Sequence, residues 1–367
     1  MVIRVPVTLS AKYEESDSPW RDITKNENLW DKLKFVPQKL FTRESLMLND
    51  PVLVNDWHPV ATVEELATRH ILATRLLGED IVVWRGDGQI LAWQDLCVHR
   101  GVRLSLGQVV DGDKLECPYH GWKYDASGQC VRIPAHPEQI PPKKAVVKTY
   151  QARERYGLVW VSLGQPAHDI PPFPQWGDER FRMALWGPKQ VKAGGPRIIE
   201  NFLDVAHLPF VHAGILGDAG RPEIGDYEAV IGPDGVKSGR IEVYQPNPFG
   251  DQGGVVFYTY AAFRPLTAHF LKESGQSNYA ILLVITPHGP IESSAWALMA
   301  TTHPEATPEN LRARLSEIFG QDQPIVESQR PELLPLDLQA ELHLRSDRMA
   351  IAYRRWLNEL GLTFGTA

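Results

Sequence analysis

Residues 97–101 read CVHRG and residues 117–122 read CPYHGW, and these two stretches decide how the rest of the sequence is interpreted. Each contains one cysteine followed by one histidine, and 17 residues lie between the first histidine and the second cysteine. Thiolates and imidazoles are the ligands of structural zinc and of iron–sulfur clusters with mixed ligands. Structural zinc sites tend to keep cysteine with cysteine and histidine with histidine, so the mixed pairs favour a two-iron cluster. The four candidate ligands are Cys97, His99, Cys117 and His120.

The composition is that of a globular protein from a reducing compartment. The 367 residues are enough for two or three domains, and 43% of them are hydrophobic. Three cysteines are too few for a disulfide-stapled secreted scaffold, which favours a cytoplasmic location. The net charge of -7 argues against nucleic acid as a partner. The longest apolar run, residues 280–285, is far shorter than the ~20 residues of a membrane helix, so no membrane partner is expected.

The first half of the chain is predicted to be an all-β domain. Short apolar runs alternate with glycine and aspartate turn signals, which is typical of antiparallel strands. The runs are His70–Leu76, Asp80–Trp84, Gln89–Gln94 and Leu158–Leu163. We expect an irregular or partly helical extension over residues 1–50, the all-β domain over 51–165 and a second domain over 166–367. A proline-rich segment at the start of the second domain has the properties of a linker.

The second half is predicted to be an antiparallel sheet with helices packed against it, so the chain as a whole is α+β. The predicted strands are Arg182–Trp186, Val255–Phe263, Tyr279–Thr286 and Ser294–Thr301. Thr307 and Pro308 form an N-cap and a first helical position, and they predict one helix. A second helix is predicted from Ser346-Asp347 to a C-terminal Gly361.

The two cysteine–histidine loops resemble those of the Rieske proteins. The match lies in CVHRG, the following 15 residues and CPYHGWKYD. The resemblance implies that Cys97, His99, Cys117 and His120 hold a [2Fe-2S] cluster, with the histidine-bound iron near the surface. It also implies that Trp122 and Tyr124 pack beneath the cluster without binding it. Cys130 has no partner at ligand spacing and is expected to be a small buried side chain.

A second group of metal-binding residues lies in residues 201–212, which read NFLDVAHLPFVH. Asn201, Asp204 and His207 are spaced three residues apart, and on a helix they would share one face. His212 lies five residues beyond His207, so a bend is needed to aim both imidazoles at one point. Pro209 lies between them and is expected to bend or end the helix. Two histidines with a carboxylate are the ligands of non-haem Fe(II) oxygenases.

The order of the two groups resembles the oxygenase component of the Rieske non-haem iron oxygenases. In that family the third iron ligand comes from a helix more than a hundred residues after the histidines. The resemblance implies Asp322 as this ligand, and Glu327 is an alternative because the spacing does not exclude it. The fold implied is an all-β Rieske domain followed by a catalytic domain with a helix-grip antiparallel sheet.

Asp204 and Asn201 are assigned to the catalytic machinery. An acidic residue one turn before a metal histidine could simply orient that histidine. The family resemblance implies more, because there the carboxylate bridges the iron histidine to a cluster histidine of the neighbouring subunit. Asp204 would then hydrogen-bond to His207 in its own chain and to His120 of the next, which implies a homotrimer.

The implied activity is that of a terminal oxygenase for a small aromatic or heterocyclic substrate. Electrons would come from an external NAD(P)H-dependent reductase or a ferredoxin, because the chain lacks a GxGxxG dinucleotide motif. The chain is similar to vanillate O-demethylases, dicamba demethylase and phthalate-type oxygenases. Its residues 130–137, 154–164 and 346–361 also resemble saxitoxin-pathway Rieske hydroxylases. Those enzymes hydroxylate one C–H bond, which favours mono-hydroxylation or O- or N-demethylation over ring cis-dihydroxylation.

Two further classes of function stay open at this point. One is a Rieske electron carrier with an inert second domain, and the other is a zinc-stabilised binding protein. The aromatic and apolar side chains considered for a substrate pocket are favoured more strongly as sheet core; they are Phe202, Phe210, Tyr258, Tyr260, Trp296 and Met299.

Overall fold

A computed structural model describes residues 50–247, 253–275 and 277–367. The predicted N-terminal extension lies outside the described residues, apart from its last residue. In the described chain the helices are α1 (Pro51–Val54), α2 (Val63–Arg69), α3 (Gly195–Leu203), α4 (Leu208–Val211), α5 (Pro308–Ser328) and α6 (Arg348–Leu360). Among these helices, none is long and apolar enough to cross a membrane.

The first half of the described chain is built from two antiparallel sheets. Its strands are β1 (His58–Thr62), β2 (Ile71–Leu76), β3 (Glu79–Gly86), β4 (Gln89–Gln94), β5 (Gln108–Val110), β6 (Lys114–Glu116), β7 (Lys123–Tyr124), β8 (Cys130–Arg132), β9 (Thr149–Arg155) and β10 (Leu158–Ser162). The larger sheet has the order β1-β10-β9-β4-β3-β2, and the smaller one has the order β5-β6-β7-β8. The smaller sheet, which carries the second cysteine–histidine loop, consists of strands of two or three residues that the apolar-run analysis did not predict.

The second half contains one long antiparallel sheet. Its strands are β11 (Arg182–Val191), β12 (Ala229–Gly232), β13 (Gly235–Ser238), β14 (Ile241–Gln245), β15 (Gly254–Arg264), β16 (Thr267–Glu273), β17 (Asn278–Gly289) and β18 (Glu292–Thr301). Their order is β11-β18-β17-β16-β15-β13-β12, with β14 also paired to β15. The predicted α+β class is therefore confirmed; the first part is built mainly of strands and also contains the short helices α1 and α2, and the second part is a sheet with helices.

The start of helix α5 and both ends of helix α6 lie within two residues of where the capping signals place them. Thr307 caps α5 by accepting from the Asn310 amide at 3.3 Å, and Pro308 occupies the first helical position. Helix α6 begins at Arg348, two residues after the predicted Ser346, because a short 3-10 turn precedes it. It ends at Gly361, whose φ of 74° is the left-handed conformation that favours glycine.

A buried ionic cluster joins helix α3, which carries Asn201, to helix α6. The Arg354 guanidinium donates two hydrogen bonds to the Glu200 carboxylate, at 2.5 and 2.9 Å. Arg197 donates to Glu341 at 2.9 Å, and Arg354 also contacts Glu341. Two-point contacts between guanidinium and carboxylate groups are directional, so the cluster holds α3 in one orientation beneath the sheet. These four residues escaped the sequence analysis because each resembles an ordinary surface charge.

Candidate metal centres

The two cysteine–histidine loops are closed by the same backbone hydrogen bond. In each, the glycine four residues after the cysteine donates its amide to the cysteine carbonyl, from Gly101 to Cys97 at 2.9 Å and from Gly121 to Cys117 at 3.0 Å. Both glycines have a positive φ, 69° and 66°, which residues other than glycine rarely adopt. The glycine in each loop is therefore required by the turn that brings its cysteine and histidine to the same side.

The cysteines and histidines of the two loops differ in burial. Cys97 and Cys117 are each 2% exposed, and the Cys97 sulfur lies 3.1 Å from the Tyr124 hydroxyl. His99 and His120 lie nearer the surface, with their ring centroids 4.6 Å apart. Burial raises the pKa of the Cys117 thiol. The arrangement has a thiol side facing the core and an imidazole side facing outward.

The loops fit a two-iron cluster with mixed ligands. The Nδ1 atom of His99 is buried and has no hydrogen-bond partner among the described residues. A buried polar atom without a partner is costly, and coordination to iron would satisfy this one. The His99 ring is also held in place, because it stacks on the Trp122 ring at a centroid distance of 4.4 Å.

The second candidate centre forms where helix α3 ends and helix α4 begins. The expectation that Asn201, Asp204 and His207 share one helix face, with a bend at Pro209, is wrong. Helix α3 ends one residue before Asp204, which adopts an extended conformation with φ -79° and ψ 132°. Pro209 lies in the first turn of α4, where the missing N–H costs no hydrogen bond. The bend therefore precedes His207, and His207 and His212 flank the single turn of α4.

Helix α5 brings a carboxylate to these two histidines. The Nε2 atoms of His207 and His212 lie 3.2 Å apart. The Asp322 Oδ1 atom lies 3.1 Å from His212 Nε2 and 3.5 Å from His207 Nε2. Candidate ligand atoms of all three residues fall within 4.8 Å of one another. Two imidazoles and one carboxylate therefore converge on one point.

Hydrogen bonds on the far side of each ring set which nitrogen faces that point. The Nδ1 atom of His207 lies 3.3 Å from Asp204 Oδ2, and the Nδ1 atom of His212 lies 2.7 Å from Gln321 Oε1. Both partners are acceptors, so each Nδ1 carries the proton and donates it. The lone pairs of both Nε2 atoms are then directed at the same place as the Asp322 carboxylate.

This arrangement fits a metal cation. The Asp322 Oδ1 atom is buried and has no hydrogen-bond donor among the described residues. Burial opposes the charged form of His212, but the Asp322 and Gln321 side chains beside the ring raise the pKa of the imidazole overall. Three electron-pair donors crowded together need a positive charge between them, and the donor set is that of non-haem Fe(II) sites.

Of the two candidate third ligands, only Asp322 lies beside the histidines. Glu327 is five residues farther along α5 and accepts hydrogen bonds from the Lys192 amide at 3.0 Å and the Gln323 side chain at 2.7 Å. Those donors lower the pKa of the Glu327 carboxyl group. Glu327 therefore serves as a hydrogen-bond acceptor at the end of the helix.

A cavity opens directly beside the three converging side chains. It encloses about 810 Å³ of empty space, its mouth included, and Asn201 and Asp204 lie on its wall together with His207, His212 and Asp322. Its walls are predominantly apolar and aromatic. An apolar and aromatic lining with a few polar groups is typical of a small-molecule site.

Three of the aromatic residues considered for a pocket line this cavity, and three residues do not. Phe202, Tyr258 and Tyr260 are part of its wall. The other three lie elsewhere: Phe210 is 64% exposed, the Trp296 indole donates to Thr286 at 2.8 Å, and Met299 is fully buried in the sheet core.

Gln321 is a site residue that the sequence analysis missed. Its side chain orients His212 across 109 residues of sequence, and nothing in its neighbourhood distinguishes it from other helix glutamines. The one available signal was its position next to the candidate ligand Asp322.

Replacing Gln321 by leucine is expected to weaken Fe(II) binding at this centre by about 10- to 100-fold, because the His212 ring loses the acceptor that sets its tautomer. Titration of metal-depleted protein with Fe(II) measures the effect. The control is Gln323→Leu on the same helix, whose amide donates to Gln190 and Glu327 and touches neither histidine. Equal Fe(II) affinity in Gln321→Leu and the unaltered protein would refute this role.

Comparisons with known proteins match the two regions of the chain that carry these candidate centres. The family model "Rieske [2Fe-2S] domain" matches residues 56–151, and the model "Vanillate O-demethylase oxygenase C-terminal domain" matches residues 191–363. Methylxanthine N1-demethylase NdmA of Pseudomonas putida is 32% identical over 333 residues, which cover 86% of this chain and 92% of the relative. Methylxanthine N3-demethylase NdmB of the same organism is 27% identical over 330 residues, covering 84% and 89%. The solved structure of Pseudomonas putida CBB5 NdmA with caffeine aligns with a TM-score of 0.75 at 31% identity, covering 84% of this chain and 91% of that one.

Proposed function

This chain belongs to the Rieske non-haem iron oxygenases, and from that premise we propose that it demethylates a small aromatic or heterocyclic substrate at nitrogen or oxygen. As a member of that family it is an oxidoreductase that carries a Rieske [2Fe-2S] cluster and a mononuclear non-haem iron. The observation that carries the proposal is the convergence of two histidines and one aspartate on the wall of an aromatic cavity. The relatives named as methylxanthine demethylases support N-demethylation in particular.

We assign the ligands of the two metal groups as follows. The cluster is held by Cys97, His99, Cys117 and His120. The mononuclear iron is held by His207, His212 and Asp322. The first assignment is supported by the burial of the two cysteines and the exposure of the histidine side. Electrons would leave the cluster through that imidazole edge. The orphaned Asp322 oxygen supports the second.

Iron bound here would supply the position at which O₂ is reduced with two delivered electrons and two protons, so that one oxygen atom enters a substrate C–H bond and the other leaves as water. The chain's own residues prepare that position. Asp204 and Gln321 hold the two imidazole rings with Nε2 toward the point where the metal would bind, and substrate and O₂ would reach it from the cavity that these side chains line. The predominantly apolar wall would limit the access of water to that point. A hydroxylated N-methyl or O-methyl carbon then releases formaldehyde.

Electron delivery requires partners. The sequence lacks the glycine motif for a dinucleotide, so we propose that an external NAD(P)H-dependent reductase or a ferredoxin reduces the cluster. We further propose a homotrimer in which Asp204 bridges His207 to His120 of the partner subunit. The Asp204 side chain is 35% exposed and the His120 ring is exposed, so both could reach a second chain. The need for a reduced cluster supports a cytoplasmic location.

Product analysis under ¹⁸O₂ tests the proposed reaction. The full-length protein, with both metals loaded and chemically reduced, is mixed with N-methylxanthines and aryl methyl ethers. Demethylation is expected to release formaldehyde and demethylated product in equal amounts, and only when O₂ is present. A ring product carrying two ¹⁸O atoms would instead assign cis-dihydroxylation. An electron carrier without oxygenase activity would bind two irons per chain in place of three and release no product.

A further inference from the structure

One tyrosine hydroxyl on the cavity wall has no hydrogen-bond partner in the part of the chain that the structure describes. Tyr260 lies on β15, is 3% exposed and lines the cavity together with the three candidate iron ligands. Its backbone amide donates to the Ser238 hydroxyl at 2.8 Å, but its side chain makes ring contacts only. A buried tyrosine hydroxyl usually has a partner, so this one requires an explanation.

Two other buried tyrosines of the same domain do have partners for their hydroxyl groups. The Tyr227 hydroxyl donates to the Ser346 carbonyl at 2.6 Å. Tyr258 lies two residues before Tyr260, and the two rings stack with their centroids 5.4 Å apart. The Tyr258 hydroxyl oxygen nevertheless accepts from the Gln245 amide at 2.8 Å. The fold therefore satisfies the neighbouring hydroxyl and leaves that of Tyr260 for a group that enters the cavity.

Two phenylalanine rings flank this tyrosine on the cavity wall. Phe202 of helix α3 and Phe270 of β16 stack on each other at a centroid distance of 5.3 Å and an interplanar angle of 23°. The Tyr260 ring stands edge-on to both, at 6.3 Å from Phe202 and 5.8 Å from Phe270. All three residues line the cavity. A planar substrate ring that packs against this group would therefore lie beside the Tyr260 hydroxyl.

The Tyr260 hydroxyl keeps its proton and is therefore a donor. Burial raises the pKa of Tyr260 well above its usual value, and the negative charges of Asp204 and Asp322 are among the groups that raise it further. These carboxylates belong to the metal centre, so the hydroxyl lies within electrostatic reach of that centre. A protonated phenol that has no acceptor in the protein can donate its hydrogen bond to a bound molecule.

We propose that Tyr260 determines substrate specificity: its hydroxyl donates a hydrogen bond to an acceptor on the substrate, a carbonyl oxygen or an aromatic ring nitrogen, and so fixes which methyl group faces the iron ligands. This inference rests on the proposed demethylase function and adds the polar group that the substrate carries and the way it is oriented. A neutral hydrogen bond in a buried site favours a ligand with the acceptor over one without it by about 5- to 10-fold.

Binding of matched probes to the full-length metal-loaded protein, measured by anaerobic calorimetry, tests the proposal. The sets are 4-methoxyacetophenone with 4-isopropenylanisole, and caffeine with its 2-thio and 6-thio analogues. Each replacement nearly preserves the shape of the probe and removes or weakens one carbonyl acceptor. In at least one set the carbonyl compound is expected to bind at least about 5-fold more tightly than its analogue. Tyr260→Phe, which loses only the hydroxyl, should abolish this preference and leave the affinity for the analogue unchanged.

Tyr244→Phe is the matched control. Tyr244 lies on β14 of the same sheet, its ring packs against the Arg221 guanidinium at 4.1 Å, and it is not part of the cavity wall. This variant loses the same hydroxyl group and should keep the full preference for the carbonyl compounds. The preference of the unaltered protein is itself a test, so the proposal does not depend on the folding of one variant.

The position of demethylation is a second measurement, and a purely structural role of Tyr260 would not change it. The unaltered, chemically reduced protein is expected to remove mainly one of the N-methyl groups of caffeine, and Tyr260→Phe should give a mixture of products. An unchanged product ratio would overturn the orienting role.

The binding results separate this proposal from the demethylase function. Analogues that bind as tightly as the carbonyl compounds, a preference that survives in Tyr260→Phe, or no binding of any probe at millimolar concentration would overturn the role of Tyr260. A preference that is lost in Tyr260→Phe, without formaldehyde from any probe under O₂, supports this role and overturns the demethylase function. Formaldehyde from probes that show no such preference has the opposite meaning.

Discussion

Replacing Asp322 by alanine is expected to remove the mononuclear iron and abolish turnover while leaving the [2Fe-2S] cluster intact. Asp322 supplies the carboxylate of the candidate site, 3.1 Å from His212 Nε2, and without it two neutral imidazoles remain. Loss of a ligand should cost more than the 10- to 100-fold that loss of an outer partner costs, so activity should fall by more than about 100-fold. Iron analysis should drop from near three to near two per chain, with the cluster's visible spectrum unchanged.

Glu327→Ala provides the matched control for this prediction. Glu327 lies on the same helix and was the alternative ligand by spacing, but it accepts hydrogen bonds from the Lys192 amide and Gln323. Its removal should leave iron content and turnover near their original values. If Glu327→Ala lost the third iron and Asp322→Ala retained it, the ligand assignment would be wrong.

Replacing Asp204 by asparagine is expected to retain both metals and still lower turnover by about 100-fold or more. The carboxylate accepts from the Ala206 amide at 2.8 Å and lies 3.3 Å from His207 Nδ1. Asparagine preserves the shape of this acceptor and one of its hydrogen bonds but removes the charge. The proposed bridge to His120 of the partner subunit would lose the group that couples the two metal centres.

The rate of cluster reoxidation separates this role from a purely structural one. Reduced protein is mixed with O₂ and substrate in a stopped-flow instrument, and the return of the cluster's visible absorbance is followed. Asp204→Asn should slow this step at unchanged iron content. The control Asp226→Asn alters a carboxylate that pairs with Arg348 at the surface and should behave as the unaltered protein. Undiminished turnover in Asp204→Asn would refute the bridge.

Local chemistry explains why the two metal-binding groups could be identified from the sequence. The cysteine–histidine loops are continuous segments, and their glycines have the positive φ that such a turn requires. Thr307 and Pro308 set the start of helix α5, and Gly361 sets the end of helix α6. Both could be predicted because capping acts within a few residues. Strands β2, β3, β4 and β10 matched the predicted apolar runs because short apolar runs between turn residues are also a local signal.

The end of helix α3 could not be predicted from local sequence signals. The spacing of Asn201, Asp204 and His207 indicates a helix face, and Pro209 is the strongest local breaker. The helix nevertheless ends before Asp204, and Pro209 lies at the start of the next helix. Packing of the two histidines against helix α5, more than a hundred residues away, selects this geometry over the local preference.

The sequence alone determined the kinds of atoms available to bind metal and their order along the chain, because ligand chemistry belongs to the side chains and to short turns. Tertiary structure alone decided which distant groups meet those ligands. Gln321 reaches His212 only because the fold brings α5 beside the segment that carries His212, and Lys272 is buried only because its strand lies inside the sheet with that face toward the cavity. A charge within one strand has no local signal of burial, since burial depends on what packs over it.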